Sequence, residues 1–178
     1  MSRAARVGTK RGFTLLELMA VVALLAILAA FAVLNYRDLL ASAHEAGCVA
    51  NMRGLTVALH SYLQDHAAVW PQGPNPNQEN AWEDFWLVRL SPYGISEKSW
   101  QCPGFNGMAA SAGIPVKERP RVHYVPTTFG PEAGLAYRWA KQPWLIERAS
   151  SHRNGAHICF QDGTVKSFNK VLAEMGVR

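Results

Sequence analysis

No proline occurs between Phe13 and Pro71, and no charged residue occurs between Leu18 and Leu34. The first absence removes the strongest helix breaker from a long stretch of chain. The second leaves an apolar run that, joined to Phe13–Glu17, is long enough to cross a bilayer as a helix. Charge is sparse, at 17% of residues, and its basic excess is local. Arg3, Arg6, Lys10 and Arg11 stand in an N-terminal stretch without an acid; removing these four from 18 basic side chains leaves 14 against 13 acidic, a formal +1. No basic stripe is interleaved with aromatics, so no nucleic-acid partner is expected. No serine or cysteine sits in a recognisable nucleophile elbow, and no carboxylate cluster accompanies the histidines. Metal spacing is poor: His44 and Cys48 are one helical turn apart, but His60 and His66 do not share a helix face. No oxygen-rich run suits calcium. Neither a metal nor a cofactor is expected.

What is present is concentrated in KRGFTLLELMAVVALLAILAAFAVLN, residues 10–35. A basic leader ends at Gly12, and one carboxylate, Glu17, interrupts the apolar run that follows. A carboxylate in a membrane span is costly and calls for a partner. Cleavage after Gly12 would create an α-amine on Phe13, one helical turn from Glu17. An ordinary secretory signal places its cleavage site after the apolar core, whereas here the site precedes it. A plain signal anchor shares the topology and leaves Glu17 unexplained. Lys10 and Arg11 stay cytoplasmic by the positive-inside rule, which puts the C-terminal body on the periplasmic side of the inner membrane.

The segment Gly12-Phe13-Thr14-Leu15-Leu16-Glu17 resembles the class III signal of type IV pilins and type II secretion pseudopilins. The resemblance implies that a membrane-embedded prepilin peptidase cuts between Gly12 and Phe13 and N-methylates Phe13. It implies that Glu17 registers each subunit against its neighbour. Residues 1–12 become a leader peptide, 13–35 a transmembrane and polymerisation helix, and 36–178 a soluble pilin-like domain. The implied partners are other pilin or pseudopilin subunits in a homo- or hetero-filament, the prepilin peptidase, an inner-membrane assembly platform with its ATPase, and membrane lipid.

Behind the apolar run, residues 36–66 continue as a helix. Leu40, Ala43, Gly47, Ala50, Gly54, Val57, Ala58 and Tyr62 recur at the spacing of one buried face, with Arg37, Asp38, Glu45, Arg53 and Asp65 mostly off it. Gly47 and Gly54 mark close contacts or local bending. Residues 71–80, PQGPNPNQEN, read as loop. Ala81 to Tyr93 reads as a short helix or turn with Trp82, Phe85, Trp86 and Leu90 on a shared side, as core. From Trp100 onward, WQCPGFNG, RVHYVPTTFG and PWLIER read as short strands between Gly/Pro turns. The class is α+β: a helix spine (36–66) followed by a loop-rich antiparallel sheet (67–178). The resemblance implies the same, one long helix whose second half packs on that sheet.

The C-terminal segment HRNGAHICFQDGTVKSF starts at His152, with nine residues between it and Asp162-Gly163. Ala156, Ile158 and Phe160 alternate with His157, Cys159 and Gln161, the pattern of a half-buried strand. Asp162-Gly163 supplies a two-residue type I′ turn, and Thr164 to Phe168 returns as the partner strand. This segment resembles the H-x9-DG signature of a pilin-like subfamily that also carries a Cys-Pro pair, here Cys102-Pro103, and a LALHSY-like helix end, here residues 57–62. Asp162 is read as the turn maker and His152 as a brace for the hairpin.

Three cysteines, Cys48, Cys102 and Cys159, would enter an oxidising compartment. One disulfide with one free thiol is the simplest accounting, and three unpaired core thiols is the alternative, since pairing does not follow from sequence. A Cys48–Cys102 bond would tie the helix to the loop region and contribute roughly 3–4 kcal/mol. Two function classes follow. The first is a non-enzymatic structural subunit of a type II secretion pseudopilus or type IV pilus-like filament. The second is an inner-membrane-anchored periplasmic enzyme or binding protein using a His152/Asp162 site; a cleft around His152 would favour it, and a satisfied histidine would sink it.

Overall fold

The computed structural model describes residues 14–176. Lys10, Arg11, Gly12 and Phe13 therefore lie outside the described residues. Helix α1 runs unbroken from Leu15 to Asp65, through a stretch with no proline and many of the strongest helix formers, Leu and Ala. It is followed by α2 (Glu79–Leu90), α3 (Pro103–Ser111), β1 (Tyr124–Pro126), β2 (Pro143–Glu147), β3 (His157–Phe160), β4 (Val165–Ser167) and α4 (Phe168–Glu174). Contacts divide the chain into two units that meet near Leu40.

In the first unit, Leu15–Val33 is long and apolar enough to cross a membrane. None of it is buried among the described residues, and Leu24, Leu28 and Phe31 all stand exposed. A helix that is apolar on every side needs an apolar surrounding that its own chain does not supply.

The second unit is α+β, with a four-stranded antiparallel sheet in the order β1-β2-β3-β4. Tyr124 pairs with Glu147, Ile146 with Ile158, and His157 with Ser167, so the meander follows chain order. The buried face of α1 is Cys48, Met52, Leu55, Thr56, Ala58, Leu59, Tyr62 and Leu63. This corrects the expected stripe, of which only Ala58 and Tyr62 are buried; Val57 is 65% exposed, and Leu40, Ala43, Ala50 and Gly54 are also exposed. Small residues fit either face of a helix at little cost, whereas Met52, Leu55, Leu59 and Leu63 carry the apolar area that burial rewards. Gly47 does approach a neighbour, the Pro103 ring, while Gly54 faces open space.

A cluster of indoles completes the core. Trp70 meets Phe129 and Trp144 edge-on at 4.7 and 5.2 Å, and Trp82 and Trp86 from α2 are buried beside Trp100. Residues 103–111 form a helix where strand was expected. Cys102 is extended, Pro103 takes the first turn where its missing N–H costs nothing, and the Met108-Ala109-Ala110 run then propagates helix. Gly104 and Gly107, turn signals by sequence, both lie within this helix.

Strand β3 is buried on both faces rather than one. His157 and Cys159 face α1, where Cys159 Sγ lies 3.0 Å from Thr56 Oγ1, and Ile158 is buried as well. The β3–β4 turn also differs from the expected two-residue type I′ loop. Gly163 N–H donates to Phe160 O at 3.0 Å and Gly163 alone has positive φ, +77°; Asp162 does not. Phe160 N–H then donates to Thr164 O, giving a type I turn closed by a glycine in the left-handed region. Asp162 Oδ1 accepts from Thr164 N–H at 2.8 Å, so its carboxylate shapes the turn.

Candidate functional site

Two sites concentrate the polar chemistry. The first is the start of α1. Thr14 Oγ1 accepts from Glu17 N–H at 3.2 Å, while Glu17 Oε2 accepts from Thr14 N–H at 2.9 Å and from the Thr14 hydroxyl at 3.0 Å. This is a reciprocal capping box, which satisfies N–H groups that no helical carbonyl reaches. Its signature, Thr14-x-x-Glu17 ahead of an apolar run, is legible in the sequence.

The second site lies under the sheet. Glu147 ends β2 with its side chain 1% exposed. Its Oε1 accepts from Ser151 Oγ at 3.2 Å and from His152 Nε2 at 3.0 Å. Its Oε2 accepts from His157 N–H at 2.9 Å and faces His157 Nδ1 at 3.1 Å. His157 Nε2 faces Glu45 Oε1 of α1 at 3.2 Å. Both ring nitrogens of His157 thus address carboxylates, an arrangement that favours the doubly protonated imidazolium. The Glu147 hydrogen bond raises the His157 pKa against the opposing effect of burial. Burial by itself would raise Glu147, but hydrogen bonds from His152 and His157 bring it down to about 2.

Cys48 and Cys102 form a disulfide beside this cluster, with Cα atoms 5.1 Å apart, and Cys159 is a free, buried thiol. His152 Nε2 lies 3.3 Å from Cys102 Sγ. The His152 and Asp162 of the H-x9-DG segment serve different structures: His152 joins the buried cluster, and Asp162 makes the hairpin turn. From the β2–β3 turn, His152 reaches Glu147 of β2 and Cys102, and its ring packs edge-on against His157 of β3 at 4.7 Å. Glu147, Glu45 and His157 escaped sequence reasoning. The ending of PWLIER as a strand was legible, but nothing local signalled that its glutamate points inward.

Residues 8–33 match the family described as the prokaryotic N-terminal methylation motif. The N-terminus matches a methylation motif, and behind it stands an α+β unit built on the second half of a long helix. A Type IV major fimbrial protein FimA of Dichelobacter nodosus is 45% identical over 62 residues, 35% of this chain and 38% of that protein. A second FimA from the same organism is 44% identical over 68 residues, 38% of this chain and 41% of its own length. A fimbrial protein of that organism is 48% identical over 56 residues, covering 32% and 35%. The chain thus spans about two fifths of the length of the curated relatives it matches. No solved structure matches it.

Proposed function

We propose that this chain is a structural subunit of a pilus-like filament, held in the inner membrane before assembly and without catalytic activity of its own. The observation that carries this reading is the methylation motif at residues 8–33 laid over a helix that is apolar all round and carries one capped carboxylate. Prepilin peptidase removes residues 1–12 and methylates Phe13, leaving the span in the bilayer with the C-terminal unit on the periplasmic side. In the stored subunit Glu17 is held by its own Thr14. On assembly the Phe13 amine of an incoming subunit competes for that carboxylate in an apolar setting, where unlike charges attract most strongly. Thr14 keeps the carboxylate oriented until then, and the assembly platform supplies the incoming subunit.

The relatives' name, Type IV major fimbrial protein, supports a pilus-type filament. The His152 side chain is 3% exposed and Asp162 is engaged separately in the hairpin turn, which argues against a shared enzyme site at His152/Asp162. Filament recovery from cells expressing Glu17→Leu tests the proposal. Membrane insertion should persist, since the substitution removes a costly charge from the span, while sheared filaments should lack the subunit. Wild-type incorporation of the Leu variant would remove the registering role from Glu17.

A further inference from the structure

Filament assembly does not call on the joint where the disulfide meets Glu147 and His152. One donor atom from each of Cys48, Cys102, Glu147 and His152 lies within 4.8 Å of the other three. His152 Nε2 stands 3.3 Å from Cys102 Sγ and 3.0 Å from Glu147 Oε1. Around a tetrahedral zinc ion, bonds of about 2.0–2.3 Å place neighbouring donors about 3.3–3.8 Å apart. Imidazole, carboxylate and one sulfur therefore already stand near coordination spacing, and only the two sulfurs, being bonded, are closer.

The donors arrive from separate segments: α1, the residue before α3, the end of β2, and the turn that follows it. Packing holds them there. A Cβ on Gly104 would meet His152 Cε1 at 2.8 Å and Ser151 O at 3.2 Å, so the Cys102-Pro103-Gly104 sequence makes room for the ring. Both cysteines are fully buried, and the His152 and Glu147 side chains are 3% and 1% exposed. Two sulfurs, an imidazole and a single carboxylate are the donors of zinc-class ions, not of calcium or magnesium. His157, donating to the second oxygen of Glu147, sits where an orienting outer partner of a ligand sits.

We propose that in its dithiol form the protein binds one zinc-class divalent ion through Cys48, Cys102, His152 and Glu147, so that disulfide and metal are alternative closures of the same joint. A dithiol reductant delivers two electrons and two protons to the Sγ–Sγ bond and becomes a disulfide itself. The metal then displaces both thiol protons to solvent, the hydrogen on His152 Nε2 passes to Nδ1 so that Nε2 is free to bind, and two sulfur–metal bonds replace the broken sulfur–sulfur bond. Either closure holds α1 against the segment that starts α3; only the metal closure engages His152 and Glu147 as ligands.

The test uses the full-length chain in detergent micelles, reduced with a phosphine and titrated with cobalt(II). The reduced wild type should take one cobalt per chain, with the visible bands of tetrahedral cobalt and a thiolate charge-transfer band, and zinc should displace it. The oxidised chain should show neither band. His152→Ala and Glu147→Gln should each weaken binding at least about tenfold, since even an outer-shell partner is worth about 10–100-fold. Cys159→Ser, outside the cluster, should bind as wild type does. Circular dichroism guards against a trivial failure: if reduction unfolds the domain, zinc should restore its signal and melting transition. A reduced wild type with no tetrahedral cobalt spectrum and no zinc-dependent refolding overturns the proposal. So does undiminished cobalt affinity in both His152→Ala and Glu147→Gln.

Discussion

Glu147 and His157 form a buried ion pair whose two members lose their charge at opposite ends of the pH scale. Glu147 titrates at about 2 in the folded chain, below the ordinary carboxylate value near 4.3. Its contribution is therefore present above that ordinary value and is lost as pH falls toward 2. His157 is raised, so its contribution is complete below the ordinary histidine value of about 6.5 and is lost as pH rises through its higher folded pKa. Glu45 and His152 are the other titratable groups facing this pair. Urea unfolding should find greatest stability between about pH 4.5 and 6.5, declining on both sides. His157→Gln should flatten the alkaline limb, and an unchanged limb would remove His157 from the account. Glu147→Ala should cost about 3 kcal/mol or more, because it strands a buried imidazolium. At Gly163, φ of +77° makes Val a strained replacement, costing on the order of 2 kcal/mol in the same assay.

At the scale of elements, side-chain size decides which face of α1 is buried. Leu59→Ala should destabilise by about 2–5 kcal/mol, whereas Val57→Ala, two positions away and 65% exposed, should stay within about 0.5 kcal/mol. Thermal melts of the two variants check this directly, and equal effects would favour the stripe through Gly54 and Val57. That stripe shows what was legible. The helix itself, α2 with its Trp82–Trp86–Leu90 side, the loop after Pro71 and the strands ending in PWLIE and HICF all follow from proline placement and hydrophobic period. The α3 helix did not, because Pro103 and Gly104 read as turn punctuation until Pro103 is seen to occupy a first turn. The buried cluster was equally hidden. Glu147 and His157 meet through strand pairing, and Glu45 reaches them from more than a hundred residues away, so no local spacing encodes the contact. His152 and Cys102 were singled out as motif residues, yet their proximity belongs to the fold. The Cys48–Cys102 bond, spanning 54 residues, should contribute about 4 kcal/mol in the oxidised chain, read as the stability lost in Cys48→Ala/Cys102→Ala.

For the molecule as a whole, the two units divide the labour. Leu15–Val33 is an apolar helix left uncovered among the described residues, and the unit from Ala41 supplies a folded body with its own aromatic core. The proposed filament subunit needs both, and in that proposal its entry into the filament depends on a new N-terminus made between Gly12 and Phe13. Mass spectrometry of the N-terminal peptide from the membrane form measures that step directly. The account predicts a mature chain that begins at Phe13 and carries one methyl group on its amine. A chain that still begins at Met1, or one that begins beyond residue 30, would contradict it.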